Sequence, residues 1–362
     1  MSEVGFHKTE IDTPFLWVDL DVLEANIAQL AAYFRDVGVN WRPHIKGVKT
    51  PAIAHMLLRA GAMGVTCAKL GEAEVMAAAG VRDMLIANQV VGERKYARLA
   101  NLSRTVDVKV AVDSAATLAG LNAAALAKGV QIGLVIELNT GMERAGVQPG
   151  EAVLALAEAI AGYPGLHLRG LMTWEGHTLG IADPEAKRQA IHQAIGLLRD
   201  SAELCRQAGF DIDIVSCGGS GTFVFTAHEP GITEIEAGGA IFNDMTYTSW
   251  GVPTRQALFV HSVVSSRPAP NRIIVDAGFK TMPGWINQPT PIGIPNVADI
   301  VSSAEHGIIT LTEDNDSIAV GDRFDFIPGY GDTTVFLHDN LYAIRGGVVE
   351  AVWPLLARGK LR

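Results

Sequence analysis

Cysteine is nearly missing from this sequence: Cys67, Cys205 and Cys217 are the three in 362 residues, and they show neither a CxxC nor a paired spacing. No disulfide framework follows from such spacing. The amino terminus has neither a basic n-region nor an apolar h-region, so the expected compartment is a reducing cytoplasm. No apolar run approaches the roughly 20 residues that a spanning helix needs, so a soluble protein with no membrane partner is expected. Charge is sparse too, at 19% of residues, and its balance is −10, which repels nucleic acid and anionic membranes and leaves any anionic ligand to local donors. Low-complexity tracts are lacking. The 38 glycines fall singly or in pairs at the ends of apolar runs, as turns and close backbone approaches rather than a linker. What the chain has in quantity is apolar residue, 48%, enough at this length for one large domain with an appendage.

From about residue 20 to 245, amphipathic stretches alternate with short β-branched runs, the pattern of βα units around a parallel sheet. The first helix is expected from Asp21 to about Phe34, with Leu23, Ile27, Leu30, Ala31 and Phe34 as its apolar stripe. Strands are expected near 38–42, 63–67, 84–88, 107–112, 131–138, 167–173, 212–217 and 233–237. Eight such units favour a closed (β/α)8 barrel over a doubly wound sheet. Beyond about 245 the runs Ile273-Ile274-Val275-Asp276, Gly307-Ile308-Ile309-Thr310-Leu311, Arg323-Phe324-Asp325-Phe326-Ile327 and Leu341-Tyr342-Ala343-Ile344 follow without helical segments between them. They predict a smaller β domain, with Phe15-Leu16-Trp17-Val18 pairing into it. The expected division is a barrel over 20–245 and a β domain over 1–19 plus 246–362.

Catalytic groups on such a barrel gather at the carboxyl ends of the strands, with phosphate after strands seven and eight. Lys46, in Trp41-Arg42-Pro43-His44-Ile45-Lys46, follows the first expected strand, where a lysine can form a Schiff base. Asn88-Gln89 ends the third, Glu137-Leu138-Asn139-Thr140-Gly141-Met142-Glu143-Arg144 the fifth, and Thr173-Trp174-Glu175-Gly176-His177 the sixth. Cys217-Gly218-Gly219-Ser220-Gly221-Thr222 and Ala237-Gly238-Gly239-Ala240 end the seventh and eighth, where amides free of bulky side chains can form an anion-binding nest. A reactive lysine with a phosphate cradle suggests pyridoxal phosphate. Plainer readings stand beside these: glycine pairs as ordinary turns, Arg144 as half of an ion pair with Glu137 or Glu143, His44 as a core histidine, Trp174 as packing. His177 reads equally as a general acid or base and as a loop residue. Lys49 reads as a solvated surface charge.

Together the Arg-Pro-His-x-Lys run, Glu-Leu-Asn-Thr-Gly-Met-Glu-Arg-Ala-Gly, Gly-Gly-Ser-Gly-Thr, Asp276-Ala277-Gly278, Glu305-His306-Gly307 and a late Pro-Gly-Tyr-Gly-Asp-Thr-Thr resemble the D-threonine aldolase and D-serine dehydratase group, of the alanine-racemase-like fold. The resemblance runs from about residue 13 to the end. It implies a pyridoxal phosphate enzyme acting on small amino acids, and a homodimer in which one subunit's β domain helps close the other's site. It implies that Lys46 holds the cofactor, that Arg144 approaches its phenolic oxygen, and that the amides of Gly219, Ser220, Gly221, Thr222, Gly238 and Gly239 hold its phosphate, with a Ser220 or Thr222 hydroxyl added. His44 and Trp174 are expected beside the cofactor, and His177 as acid or base.

Members that cleave or dehydrate 3-hydroxy amino acids carry His-x-Cys or His-x-Asp in the late motif, binding a divalent cation. This chain has Tyr330-Gly331-Asp332. Asp332 matches the second ligand, and one carboxylate with waters suits magnesium or manganese better than zinc. His338 and Asp339 are expected on an exposed turn. The expected reaction is cleavage of a D-3-hydroxy amino acid to glycine and an aldehyde. A D-serine or 3-hydroxy-D-aspartate type dehydratase is the alternative, as is a metal-free racemase with Tyr330 as the base facing Lys46. A non-catalytic cofactor carrier is disfavoured by the density of polar groups at the barrel mouth.

Overall fold

The structure, a computed structural model, describes residues 3–362. Two compact units are present, one of residues 30–46, 53–238 and 359–362, the other of residues 3–29, 47–52 and 239–358. Gly359–Arg362 count with the first, where Arg98 donates to the Arg362 carbonyl at 2.9 Å.

Strand β1 (Phe15–Asp19) belongs to the second unit, and Asp19 caps the long helix α1 (Leu20–Val37) by accepting the Val22 N–H at 3.1 Å. Its apolar stripe is buried at Leu23, Ile27, Leu30 and Phe34, as the spacing predicts.

The first unit is built on β2 (Asn40–Trp41), β3 (Val65–Cys67), β4 (Asp83–Gln89), β5 (Asp107–Val112), β6 (Ile132–Leu138), β7 (Leu166–Thr173), β8 (Ile214–Cys217) and β9 (Glu234–Ile235). Among the described residues these eight pair in parallel in the order β2-β9-β8-β7-β6-β5-β4-β3. A parallel bridge between His44 and Thr66 closes the ring, reinforced by Ile45 N–H to the Thr66 carbonyl at 2.8 Å and Thr66 N–H to the Pro43 carbonyl at 3.0 Å. The (β/α)8 barrel is thus complete.

Period-two alternation sorts each strand into an inner and an outer face. On β4 the inner face runs Asp83, Leu85, Ala87, Gln89. Leu85 meets Ala111, Val135, Met172 and Ile214 in an apolar middle layer. Below it, at the strand starts, Arg42 bonds Asp83 at 2.5 Å and Glu234 at 2.9 Å, while Lys109 bonds Asp83 at 2.6 Å and Asp107 at 2.7 Å. Above it, Gln89 reaches across β5 to Glu137 at 2.5 Å.

The second unit is a sheet of β1 with β10 (Leu258–Ala269), β11 (Arg272–Val275), β12 (Thr290–Pro291), β13 (Val297–Ser302), β14 (Gly307–Leu311), β15 (Arg323–Ile327), β16 (Asn340–Arg345) and β17 (Val348–Pro354). Strand β1 lies between β10, antiparallel, and β16, parallel. Phe15, Trp17, Ile344 and Val349 pack with Ile11 on one face.

Candidate active site

Lys46 stands where the first barrel strand runs out. Its run is held on one side by β9, through His44 N–H to the Glu236 carbonyl at 3.0 Å, and on the other by β3. The Lys46 N–H itself donates to His44 Nδ1 at 3.3 Å, so His44 shapes the turn that carries the lysine. The Lys46 side chain is exposed. Lys49, expected on the surface, is half-buried with a left-handed φ of 59°. Gly238 backs directly onto this run: a Cβ there would overlap the His44 carbonyl, so only glycine brings the end of β9 this close.

The loop after β8 is anchored from below by a residue the sequence reading quoted but did not single out. Glu175 is 0% exposed and accepts three bonds: Gly218 N–H at 3.2 Å, the Thr222 hydroxyl at 2.7 Å and the Thr226 hydroxyl at 2.7 Å. Thr222 Oγ1 in turn accepts the Gly219 N–H at 3.0 Å, and the Thr222 N–H donates to the Gly219 carbonyl at 3.1 Å. Two of the amides expected to face a phosphate, those of Gly219 and Thr222, are therefore spent inside the loop, and so is the Thr222 hydroxyl. Among the described residues the amides of Gly221 and Gly238 have no protein acceptor. Ser220 is buried at the tip. Trp174, next to Glu175, lies over the loop, and a Cβ on Gly219 would sit 2.5 Å from its ring.

Asn139 shapes the loop after β6, its Oδ1 accepting the N–H groups of Gly141 at 3.1 Å and Glu143 at 3.0 Å. The turn delivers Arg144 to the mouth with its side chain 53% exposed, 3.4 Å from the buried Glu137 carboxylate. The ion-pair reading of Arg144 and its expected cofactor role are compatible, because an exposed fork with one long contact keeps donors to spare. The His177 ring packs on Gly141: a Cβ there would be 2.8 Å from Nε2. The barrel unit thus brings together Lys46 with His44 and Gly238, Trp174 with Gly219, and His177 with the loop of Arg144. All lie beyond the carboxyl ends of their strands.

The remaining expected residues belong to the second unit. A Cβ on Gly239 would overlap the Tyr247 hydroxyl. Asp332 abuts Gly47, the residue after Lys46 in the chain, and its carboxylate lies 3.1 Å from the Tyr330 hydroxyl and 3.5 Å from that of Tyr247. Burial, and then the negative charge of Asp332, push the Tyr330 phenol well up from its ordinary value, and the same causes act on Tyr247. The Tyr330 hydroxyl donates to Asp332. Burial also pushes Asp244 up to about 7, against the amides of Gly331 and Tyr247 that it accepts at 2.6 and 2.8 Å. Tyr247, Trp250 and Trp285 surround the Tyr330 ring at centroid distances of 5.7, 6.2 and 5.7 Å.

For a divalent cation this donor set fits poorly, since neutral phenols beside a single carboxylate offer a hard ion little charge. Among the described residues no three His, Cys, Asp or Glu gather as a metal site. His338 is not on an exposed turn but half-buried, donating Nε2–H to the Thr281 carbonyl at 2.9 Å. An anionic cofactor with an aldehyde is a different matter. The barrel mouth has an amine on Lys46, two approaches that a Cβ would fill at Gly219 and Gly238, and the Gly221 and Gly238 amides without a protein acceptor among the described residues, and these fit pyridoxal phosphate. Among the described residues no helix is long and apolar enough to cross a membrane.

The alanine racemase N-terminal domain model matches residues 18–245, and a serine dehydratase domain model matches residues 257–344. A D-threonine aldolase of Arthrobacter is 35% identical over 99% of this chain and 96% of its own length. A 3-hydroxy-D-aspartate aldolase of Paracoccus denitrificans is 33% identical over 98% and 94%. The crystal structure of D-threonine aldolase from Filomicrobium marinum superposes with a TM-score of 0.96 at 34% identity, covering 99% of both chains. With that agreement over its whole length, the chain belongs to the D-threonine aldolase and D-serine dehydratase-like family of alanine-racemase-like pyridoxal phosphate enzymes, and is a lyase of that family.

Proposed function

We propose that this lyase cleaves D-3-hydroxy amino acids to glycine and an aldehyde. The observation that carries the reading is the convergence, on one barrel mouth, of the Lys46 turn with the Gly238 approach that holds it. The full-length likeness to two aldolases supports it over the dehydratase and racemase alternatives. When bound, pyridoxal phosphate supplies a sink for the electron pair left on Cα, whichever bond breaks.

The chain's own residues decide which bond that is. Lys46 would hold the cofactor through Nζ, and its amine would carry the proton that Cα gains. Arg144 would add a positive charge at the same barrel mouth. The Gly221 and Gly238 amides, with Ser220, would hold the phosphate, and Trp174 would cover the loop beside it. His177 is the barrel-mouth base for the β-hydroxyl. In the reaction the Cα–Cβ bond breaks, the hydroxyl gives up its proton as the aldehyde forms, and Cα gains one to become glycine. No step is routed through magnesium or manganese.

A division into a cofactor barrel over 20–245 and a β domain over 1–19 plus 246–362 belongs to the same proposal, supported by the family match ending at residue 245. So does a homodimer. The test is incubation with D-threonine, D-phenylserine, 3-hydroxy-D-aspartate and D-serine. Glycine plus aldehyde is expected from at least one. Ammonia plus a 2-oxo acid would assign a dehydratase instead, exchange of the α-hydrogen with inversion a racemase, and no turnover of any of them would remove the proposal.

A further inference from the structure

Nothing in the barrel mouth is more enclosed than the Glu175 carboxylate, and it touches no reacting group. Its oxygens divide their work: Oε2 takes the Gly218 N–H at 3.2 Å, and Oε1 takes the hydroxyls of Thr222 and Thr226, each at 2.7 Å. Because the Thr222 proton is directed to Glu175, a Thr222 lone pair faces the Gly219 N–H at 3.0 Å. The first two glycine amides of the loop are thereby turned inward, while among the described residues the Gly221 N–H has no protein acceptor. A carboxylate beneath an anion site repels the anion, so its presence there is an electrostatic cost. What offsets that cost is geometric, since an acceptor with two oxygens can hold a backbone amide and two hydroxyls at once, fixing a glycine-rich segment that would otherwise sample many conformations.

We propose that Glu175 is the positioning residue that sets the loop Gly218–Thr222 in its anion-binding form, acting on the cofactor's phosphate through that loop alone. This rests on the cofactor assignment above. The same residue links the loop to the next part of the mouth, because its carbonyl accepts the Thr178 N–H at 3.1 Å and hydroxyl at 2.8 Å, fixing the short turn that carries His177.

The test separates phosphate recognition from folding by comparing two probes. Cofactor-free protein is titrated with pyridoxal phosphate and with pyridoxal, which has the aldehyde but not the phosphate, and thermal unfolding is recorded for each variant. Glu175→Leu keeps the bulk and strands three donors, and it should weaken pyridoxal phosphate about tenfold or more while pyridoxal stays within about twofold of wild type. Glu175→Gln, which keeps an acceptor for Gly218, should recover most of that loss. Thr226→Val removes one donor away from the loop tip and should cost about threefold for pyridoxal phosphate only; it decides the matter if Glu175→Leu does not fold. Equal losses for the two probes, or none for pyridoxal phosphate, would overturn the role. Wild-type protein that takes up neither compound would instead overturn the underlying cofactor assignment, and this inference with it.

Discussion

The floor and the mouth of the barrel are both charged, and they use charge in opposite ways. At the floor Arg42 and Lys109 are nearly fully buried, and each is shared between two carboxylates at 2.5 to 2.9 Å. Burial pushes the Asp83 carboxyl up, but Arg42 and Lys109 outweigh it and hold the group below its ordinary value. At the mouth Lys46 is exposed, and Arg144 keeps one long contact of 3.4 Å. Charge that is fully paired can only hold the structure together. Charge that stands exposed at the strand ends can meet a ligand, and barrels gather their ligand-binding groups at that end.

The sharpest division is expected from Lys46→Ala, which should abolish any borohydride-reducible adduct with pyridoxal phosphate yet leave thermal unfolding near wild type. An adduct surviving in Lys46→Ala and lost in Lys49→Ala would reassign the lysine. The reverse pattern is expected at the floor. Arg42→Met strands the buried Glu234 and leaves Asp83 with Lys109 alone, and it should cost about 3–5 kcal/mol in denaturant unfolding; near-wild-type stability would mean that the floor charges do not hold the barrel together.

Glu236 tests the boundary between the two regions. Burial, and next the charge of Glu234, push its carboxyl up to about 8, while Ser216 donates to it at 2.9 Å. Its folded-state affinity for protons exceeds the unfolded one, so its stabilising contribution is full below about pH 4.5 and is lost as pH rises through about 8. Between pH 5 and 8 the wild type should therefore lose about 3 kcal/mol from this group, and Glu236→Gln should flatten that slope. Asp244 adds a slope of the same sign to both proteins. Parallel pH profiles of Tm would show that Glu236 stays ionised.

The smallest effect expected is at Arg144. Replacing it with lysine keeps the charge and loses the planar fork, so kcat should fall about tenfold, or about 1.4 kcal/mol, with cofactor affinity and Tm little changed. A fall in Tm with unchanged kcat would place Arg144 with the floor residues.

The barrel was legible because its signal is local. Each strand is a β-branched run with an amphipathic helix after it, and the expected 107–112 and 131–138 lie on the observed Asp107–Val112 and Ile132–Leu138. The positions of Lys46, Arg144 and the glycine clusters followed from where strands end. Glu175 did not. One residue from Trp174 in the sequence, it looks like any polar residue of a loop, and only the return of Thr222 and Thr226 from 47 and 51 residues away makes it an anchor. The surroundings of Tyr330 show the same limit, since the upward push on its phenol comes from burial and from Asp332, and neither can be read from residue order. Motif and period determined the fold, the family and the candidate lysine; hydrogen-bond direction and desolvation, which exist only once distant segments meet, decided which amides face outward, which hydroxyls are spent and which charges remain available.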